Sequence, residues 1–272
     1  MSSEIPIFDT LTHPTLDGNW ILPKWPDCAS IADLKAQMQA SNVCGTFAVG
    51  MEGIGGYDED AFLKMIKEEK DINLFPVAFF SFTQSSKDDY EKRLQDIKNK
   101  GYVGIKLHPR IGHFTLDNPY LPFVIDKANE MGLVVMLCTY FYSNEVSLLS
   151  NNIERLAEML LKVNKDSKVI LLHGGVVRLL DVMEVVRAFP NTLLDLSLTL
   201  CKYAGSSLDM DIQFLFQSFD RRVCIGSDHP EIKLSQVRDR FEHFAANTSK
   251  EKAENIAYKN ILNFTGIKLH LG

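Results

Sequence analysis

The sequence predicts an α/β fold, a (β/α)8 or TIM barrel, from three observations. Short apolar runs alternate with amphipathic helix patterns along the whole 272-residue chain. Eight such runs occur, and eight repeats in a chain of this length favour a barrel over an open doubly wound sheet. No glycine-rich phosphate loop follows the first run, as a dinucleotide-binding sheet would usually need. We therefore expect a single barrel domain over residues 1–272.

The eight apolar runs have the composition of parallel strands. Most are nearly continuous in apolar and β-branched residues, which is typical of strands that lie between a core and covering helices. In chain order they are PIFDTLTH, VCGTFAVG, NLFPVAFF, GYVGIKLH, LVVMLCTY, KVILLHGG, NTLLDLSL and RVCIGSDH.

The helix patterns between these runs carry start and stop signals. Ser86 precedes one helix as an N-cap, and Gly132 follows NPYLPFVIDKANEM as a C-cap. The segment NNIERLAEMLLKV repeats apolar residues at helical spacing. Thr248 and Glu251 have the spacing of a capping box, which predicts a helix beginning after Thr248.

Composition narrows the class of function. Hydrophobic residues make up 46% and charged residues 24%, and the net charge is -6 with no basic stripe, so we expect no nucleic-acid partner. No apolar run approaches membrane-spanning length, so we expect no membrane partner. The start, MSSEIPIFDT, does not have the pattern of a signal peptide, which favours a cytoplasmic location. The expected partner is a small-molecule substrate, and a homo-oligomer stays an open alternative.

The cysteines agree with a reducing compartment. There are five, an odd number, with no CxxC spacing. Cys44, Cys138 and Cys224 lie inside apolar runs, so we expect buried thiols there rather than a disulfide framework.

Ionisable residues close several of the predicted strands. In a (β/α)8 barrel the active site lies at the carboxyl ends of the strands, so we expect these side chains to meet at one mouth. Each alone has a structural explanation, but several buried ionisable groups together cost desolvation energy, and functional sites are where that cost is usually found. The residues are His13 on the first strand, Lys106 and His108 on the fourth, Cys138 on the fifth, His173 on the sixth and Asp228 on the eighth.

Four stretches connect the chain to a known family. They are FDTLTHP, GIKLHP, VILLHGG and IGSDHP, and the closing ENIAYKNILNFTGI agrees with them. In this order they resemble the amidohydrolase superfamily, in particular the amidohydrolase-related branch that includes decarboxylases similar to aminocarboxymuconate semialdehyde decarboxylase. The resemblance implies a (β/α)8 barrel and usually one divalent metal ion, often zinc.

The resemblance also implies which residues would bind that metal. His13, His173 and Asp228 match ligand positions of the family, whereas Leu11 and Cys138 stand where the family has histidines. A cysteine can bind zinc as a thiolate, so a rebuilt site of His13, Cys138, His173 and Asp228 is one alternative. The other is that zinc binding has been lost, since some members of the branch, lactonases included, work without a metal.

The leading hypothesis for function is hydrolysis of a small polar amide, ester or lactone. Asp228 would be the general base that activates water, and His173 would polarise the carbonyl group or position the water. Lys106 and His108 would bind the substrate carboxylate or the developing oxyanion.

Two rival functions stay open at this stage. A decarboxylase of the same fold would differ only in the chemistry of its substrate. A non-catalytic barrel that binds a metabolite or a protein partner would explain Leu11 and Cys138. The retained ionisable residues favour catalysis, because a relaxed site would be expected to lose costly buried charges.

Overall fold

The computed structural model describes residues 5–21, 28–143 and 147–269. Eight strands form one sheet in the order β1 to β8, and helices alternate with them, which confirms the predicted (β/α)8 barrel. The chain divides into two compact units, Met1–Pro76 with Asp195–Gly272, and Val77–Leu194. The single domain over residues 1–272 stays a prediction.

All eight strands fall within the apolar runs identified in the sequence. They are β1 (Ile7–Thr12), β2 (Val43–Val49), β3 (Leu74–Phe80), β4 (Gly104–Leu107), β5 (Val134–Cys138), β6 (Val169–Leu172), β7 (Thr192–Asp195) and β8 (Val223–Cys224).

The helices of the described residues follow the strands in alternation. They are α1 (Ile31–Ala40), α2 (Glu59–Glu68), α3 (Lys87–Lys100), α4 (Leu121–Glu130), α5 (Ile153–Leu160), α6 (Leu179–Ala188), α7 (Thr199–Lys202), α8 (Leu208–Ser218), α9 (Leu234–Ala245), α10 (Lys250–Glu254) and α11 (Asn260–Thr265). None of these helices has the length and apolar composition that crossing a bilayer requires.

Two of the predicted helix signals are confirmed and one is wrong. The Ser86 hydroxyl caps α3 by accepting the Asp89 N–H at 3.2 Å, and Gly132 follows α4 with a φ of 71°. The cap of α10 is Ser249 rather than Thr248. The Thr248 hydroxyl donates to the Ala245 carbonyl at the end of α9, at 3.0 Å, and the Ser249 hydroxyl accepts the Lys252 N–H of α10 at 3.3 Å.

In the first unit, β1 is paired with the chain segment that follows β8. The Thr10 N–H donates to the Ile225 carbonyl at 3.1 Å, and the Asp228 N–H donates to the Leu11 carbonyl at 2.9 Å. One step further, Thr12 and His229 form a parallel bridge. The extended chain after β8 thus continues to Asp228 and is fixed against β1.

In the second unit, strand register brings three strand ends to the same level. Leu107 of β4 pairs with Leu137 of β5, and Leu137 pairs with Leu171 of β6. The residues that follow these partners are His108, Cys138 and Leu172, and His173 comes one step later. Their side chains are therefore grouped at the carboxyl ends of these three strands.

All five cysteines lie within the described residues, and none forms a disulfide. Cys138 and Cys224 are buried as predicted, whereas Cys44 is only half-buried.

Candidate active site

His13 and Asp228 form a pair in the first unit. His13 follows β1, is almost fully buried, and has its Nδ1 atom 2.8 Å from the Val49 carbonyl oxygen. Because a carbonyl oxygen only accepts, Nδ1 carries a hydrogen. The other ring nitrogen, Nε2, lies 3.3 Å from Oδ1 of Asp228, and the imidazole stacks on the Trp20 indole with ring centroids 5.1 Å apart. The ring is thus held in one orientation and faces the carboxylate.

The backbone conformation of Asp228 is one that few residues adopt. Its φ is 58°, in the left-handed region that costs a non-glycine residue conformational energy. The Asp228 N–H is fixed by the Leu11 carbonyl, and the side chain retains 13% of its exposure. Such strain is common at functional sites, where the fold holds a side chain in a set direction.

Leu11 lies on β1 between Asp9 and His13, in a stretch where the register with β2 is irregular. It is fully buried and supplies no ligand atom. In the first unit, the pair that remains at the predicted metal positions is therefore His13 and Asp228.

Asp9 is a buried acid that the sequence analysis missed. Its Oδ1 atom accepts the Ser227 N–H at 2.9 Å and the Leu11 N–H at 3.1 Å. Its Oδ2 atom has no hydrogen-bond partner in the described part of the chain. Burial raises the pKa of Asp9 to about 7, although the hydrogen bonds from Ser227 and Leu11 act in the opposite direction. The available signal was a carboxylate inside an apolar run, at strand spacing from His13.

Asp195, at the end of β7, is the second buried carboxylate of this unit. The hydroxyl groups of Thr10 and Ser197 both donate to it, one to each oxygen, and so does the Ser197 N–H at 3.0 Å. The Cys224 sulfur lies 3.9 Å from Oδ2 of Asp195. Burial and the nearby Asp195 charge raise the pKa of Cys224 well above its usual range, so this thiol stays protonated.

Four of the predicted residues lie in the second unit. Lys106, His108, Cys138 and His173 all have at most 3% of their surface exposed. The Cys138 thiol is hydrogen-bonded to the imidazoles of both His108 and His173. The Ile111 N–H donates to Nδ1 of His108 at 3.2 Å, which leaves the hydrogen of a neutral His108 ring on Nε2.

The protonation of this cluster is shared between the thiol and the imidazoles. Burial lowers the pKa of His108, and the charges of Lys106 and Arg110 lower it further, while Cys138 raises it. Burial also opposes ionisation of Cys138, but His108 and His173 together outweigh it, and the pKa of the thiol falls well below its usual range. The low pKa of Cys138 therefore depends on the two imidazoles beside it.

Arg110 is a cationic residue that the sequence analysis did not identify. Its guanidinium group lies 4.5 Å from the centre of the Tyr140 ring, and that ring meets the His173 imidazole edge-on with centroids 6.5 Å apart. The Nε atom of Arg110 is buried and has no hydrogen-bond partner in the described ranges. A guanidinium donor of this kind is suited to binding a carboxylate. The signal for Arg110 in the sequence was its position two residues after His108.

The arrangement of side chains that could bind a metal bears on the ion that the resemblance implies. Across residues 5–21, 28–143 and 147–269, no group of three or more histidine, cysteine, aspartate or glutamate side chains is placed to hold a metal ion. The described residues therefore do not fit the divalent metal ion that the resemblance implies. The ligand set of His13, Cys138, His173 and Asp228 stays a prediction from the sequence.

Comparison with known proteins gives matches in structure alone. No family model matches the chain, and no curated protein matches it. A crystal structure of an uncharacterised TIM-barrel protein from Bordetella bronchiseptica matches with a TM-score of 0.77 and 19% identity, covering 96% of this chain and 100% of that one.

Two further crystal structures are of proteins named for an enzymatic activity. A probable 2-pyrone-4,6-dicarboxylic acid hydrolase from Acinetobacter baumannii, with citric acid bound, matches with a TM-score of 0.69 and 18% identity, covering 96% of this chain and 99% of that one. A 5-carboxyvanillate decarboxylase from Sphingomonas paucimobilis matches with a TM-score of 0.65 and 11% identity, covering 97% and 100%. At these identities the likeness establishes the (β/α)8 barrel fold.

Proposed function

We propose that this chain is an enzyme of the amidohydrolase superfamily that hydrolyses a small ester, lactone or amide carrying a carboxylate. The observation that carries the proposal is the pair of His13 and Asp228, in which a partly exposed carboxylate faces an anchored imidazole at 3.3 Å. The four sequence stretches and the likeness in fold support the assignment to the superfamily.

Asp228 is the general base in this proposal. Its carboxylate keeps some contact with solvent, and the strained backbone sets its direction. A carboxylate held beside an imidazole can take a proton from water as the water attacks a carbonyl carbon. Because the hydrogen of a neutral His13 ring is on Nδ1, Nε2 can accept a hydrogen bond from the Asp228 carboxyl group once that group has taken the proton.

The cationic groups of the second unit bind the substrate carboxylate or the oxyanion. Lys106 is almost fully buried, and Arg110 has a buried N–H with no partner in the described residues. Charge-assisted bonds from such groups are stronger in a dry site than in water. In this proposal His173, which is hydrogen-bonded to Cys138, polarises the carbonyl group of the substrate.

The activities for which two structural neighbours are named support a carboxylate substrate. One is a probable hydrolase of 2-pyrone-4,6-dicarboxylic acid, and the other is a decarboxylase of 5-carboxyvanillate. Both compounds named are aromatic or pyrone carboxylic acids. The sequence predicts that Asp228 and Lys106 act on the same substrate. This joint action stays a prediction.

The test is a small panel of carboxylic acids. We expect opening of the lactone ring of 2-pyrone-4,6-dicarboxylic acid or of a related lactone, followed by loss of the ring absorbance. Asp228→Asn should lower kcat by roughly 100- to 10,000-fold, the range for a lost general base. Asp166→Asn, on the exposed surface, is the matched control and should be unchanged. Substantial activity in Asp228→Asn would rule out Asp228 as the base.

Decarboxylation is the second candidate, because one neighbour of the same fold is a 5-carboxyvanillate decarboxylase. Incubation with 5-carboxyvanillate and measurement of released CO2 separates it from hydrolysis. Absence of both reactions across the panel would favour the non-catalytic alternative, to which Leu11 and Cys138 point.

The divalent metal is tested separately. Elemental analysis of protein purified without added metal would support the rebuilt four-ligand site if zinc is near stoichiometric. Absence of zinc after supplementation would exclude that site, and hydrolysis by the side chains alone would then be retained.

A further inference from the structure

Asp9 lies at the point where β1 meets the segment that carries Asp228. One oxygen, Oδ1, accepts two backbone N–H groups, that of Leu11 on its own strand and that of Ser227 on the segment after β8. Leu11 in turn accepts the Asp228 N–H through its carbonyl at 2.9 Å. A single buried atom therefore links both backbone segments that fix the main chain of Asp228.

We propose that Asp9 is a positioning residue for Asp228: through Oδ1 it fixes residues 226–228 against β1 and so holds the Asp228 carboxylate beside the His13 imidazole. The proposal rests on the function proposed above for Asp228. Asp9 is buried under the segment, so its role is to hold that segment rather than to contact substrate.

The packing around Asp9 leaves the segment little room to move. A Cβ atom added at Gly226 would lie 2.5 Å from Oγ1 of Thr10 and 2.9 Å from Oδ1 of Asp9, closer than real contacts allow. The Ser227 hydroxyl accepts the His229 N–H at 2.9 Å, which fixes the turn on the far side of Asp228. The position of the segment thus depends on the group that Asp9 supplies at its centre.

The second oxygen of Asp9, Oδ2, is not needed to fix residues 226–228, so a neutral side chain such as asparagine can replace Asp9 in this role. Oδ2 is buried, has no hydrogen-bond partner in the described residues, and experiences the charge of the buried Asp195 on β7. An amide at this position keeps the accepting oxygen of Oδ1 and adds no charge. Asp9→Asn should therefore hold the segment, whereas Asp9→Ala and Asp9→Leu should release it.

The experiment compares these three variants with Asp220→Ala. Asp220 is also buried and accepts a side-chain hydrogen bond from Asn255 at 2.8 Å, so the control removes a comparable bond elsewhere in the same unit. At pH 6, with the best substrate of the panel above, Asp9→Ala should lower kcat about 100-fold, as expected for a misplaced catalytic group, and leave KM nearly unchanged. Asp9→Asn should restore kcat, and Asp220→Ala should leave it intact.

A spectroscopic readout makes the test independent of turnover. In NMR spectra of histidine-labelled protein, the His13 imidazole signals should match wild type in Asp9→Asn and Asp220→Ala. In Asp9→Ala and Asp9→Leu they should move toward the signals of Asp228→Asn, because the carboxylate has left Nε2. If wild type turns over no substrate, the proposed function fails, and these signals still decide whether Asp9 holds Asp228.

Three results would overturn the inference. One is a wild-type His13 signal in Asp9→Ala or Asp9→Leu. Another is a loss of kcat in Asp220→Ala as large as that in Asp9→Ala, which would indicate general destabilisation. If neither apolar variant folds, amide exchange in wild type and Asp9→Asn decides: the Ser227 amide should exchange as slowly as the Asp228 amide in both proteins, and fast exchange at Ser227 would contradict the bond to Asp9.

Discussion

The Nε2 atom of His13 lies 3.3 Å from Oδ1 of Asp228, while Nδ1 of the same ring is bonded to the Val49 carbonyl oxygen at 2.8 Å. The imidazole is therefore anchored at one nitrogen and presents the other to the carboxylate. This relationship joins the end of β1 to the segment after β8.

Replacing His13 should cost stability as well as activity. His13→Ala leaves the buried Val49 carbonyl without this partner and removes the ring that faces Asp228, and an unsatisfied buried group costs about 1–3 kcal/mol. We expect the free energy of unfolding in urea to fall by about 2 kcal/mol or more. His113→Ala, at an exposed histidine, is the control and should change little. A loss in His13→Ala no larger than in the control would contradict the pair.

Cys138 should ionise at lower pH than an ordinary thiol. Burial opposes the thiolate, but the imidazoles of His108 and His173 outweigh burial and lower the pKa of Cys138. Titration of the thiolate absorbance in the ultraviolet should show a transition below the usual thiol range that disappears in Cys138→Ala. Cys224→Ala is the control, because burial and Asp195 raise the pKa of Cys224 and keep it protonated. An unchanged titration in Cys138→Ala would contradict the assignment.

Asp9 should make the protein less stable as the pH rises. Burial raises the pKa of Asp9 from 3.8 to about 7, so the folded state keeps a proton that the unfolded state loses in that interval. Stability is thus lost as the pH rises from about 4 to about 7, by at most about 4 kcal/mol. Asp9→Asn has no carboxyl group at this position and so does not lose stability in this way. Its free energy of unfolding should be higher than that of wild type at pH 8, but not near pH 4. Asp166→Asn should show no such pH-dependent difference, and a constant difference in Asp9→Asn would refute the raised pKa.

Arg110 should set the affinity for a carboxylate substrate. Its buried Nε atom has no partner in the described residues, and a hydrogen bond to a charged group contributes about 1.5–3 kcal/mol. Arg110→Met should therefore raise KM by roughly 10- to 100-fold, with a smaller effect on kcat. Arg155→Met, at a guanidinium paired with Glu158 on the surface, is the control. Equal KM values in the two variants would remove Arg110 from the binding site.

The fold could be predicted from the sequence because its signals are local. Each strand is a continuous apolar run, and caps such as Ser86 lie next to the helices they begin. The choice between Thr248 and Ser249 was less accessible, because both residues are hydroxyl residues and the cap depends on which of them immediately precedes the first helical residue.

The candidate site was predictable only where a residue type was itself informative. His13 and Asp228 could be found because ionisable groups close their strands, and the structure places them in contact. Asp9 could not be found in the same way, because its role comes from a bond to Ser227, 218 positions away in the chain. Arg110 follows His108 by two residues, but its contact with the Tyr140 ring and the lack of a partner for its Nε atom among the described residues are not visible in a linear sequence.

The pairing of β1 with the segment after β8 has a consequence for biosynthesis. The first strand leaves the ribosome long before residues 223–229 are translated, so this side of β1 stays an open sheet edge during most of synthesis. Open edges invite pairing with other chains, and this one must be shielded until the last strand arrives. A nascent chain that stalls before Ser227 would therefore expose the edge and lack the residue that bonds to Asp9.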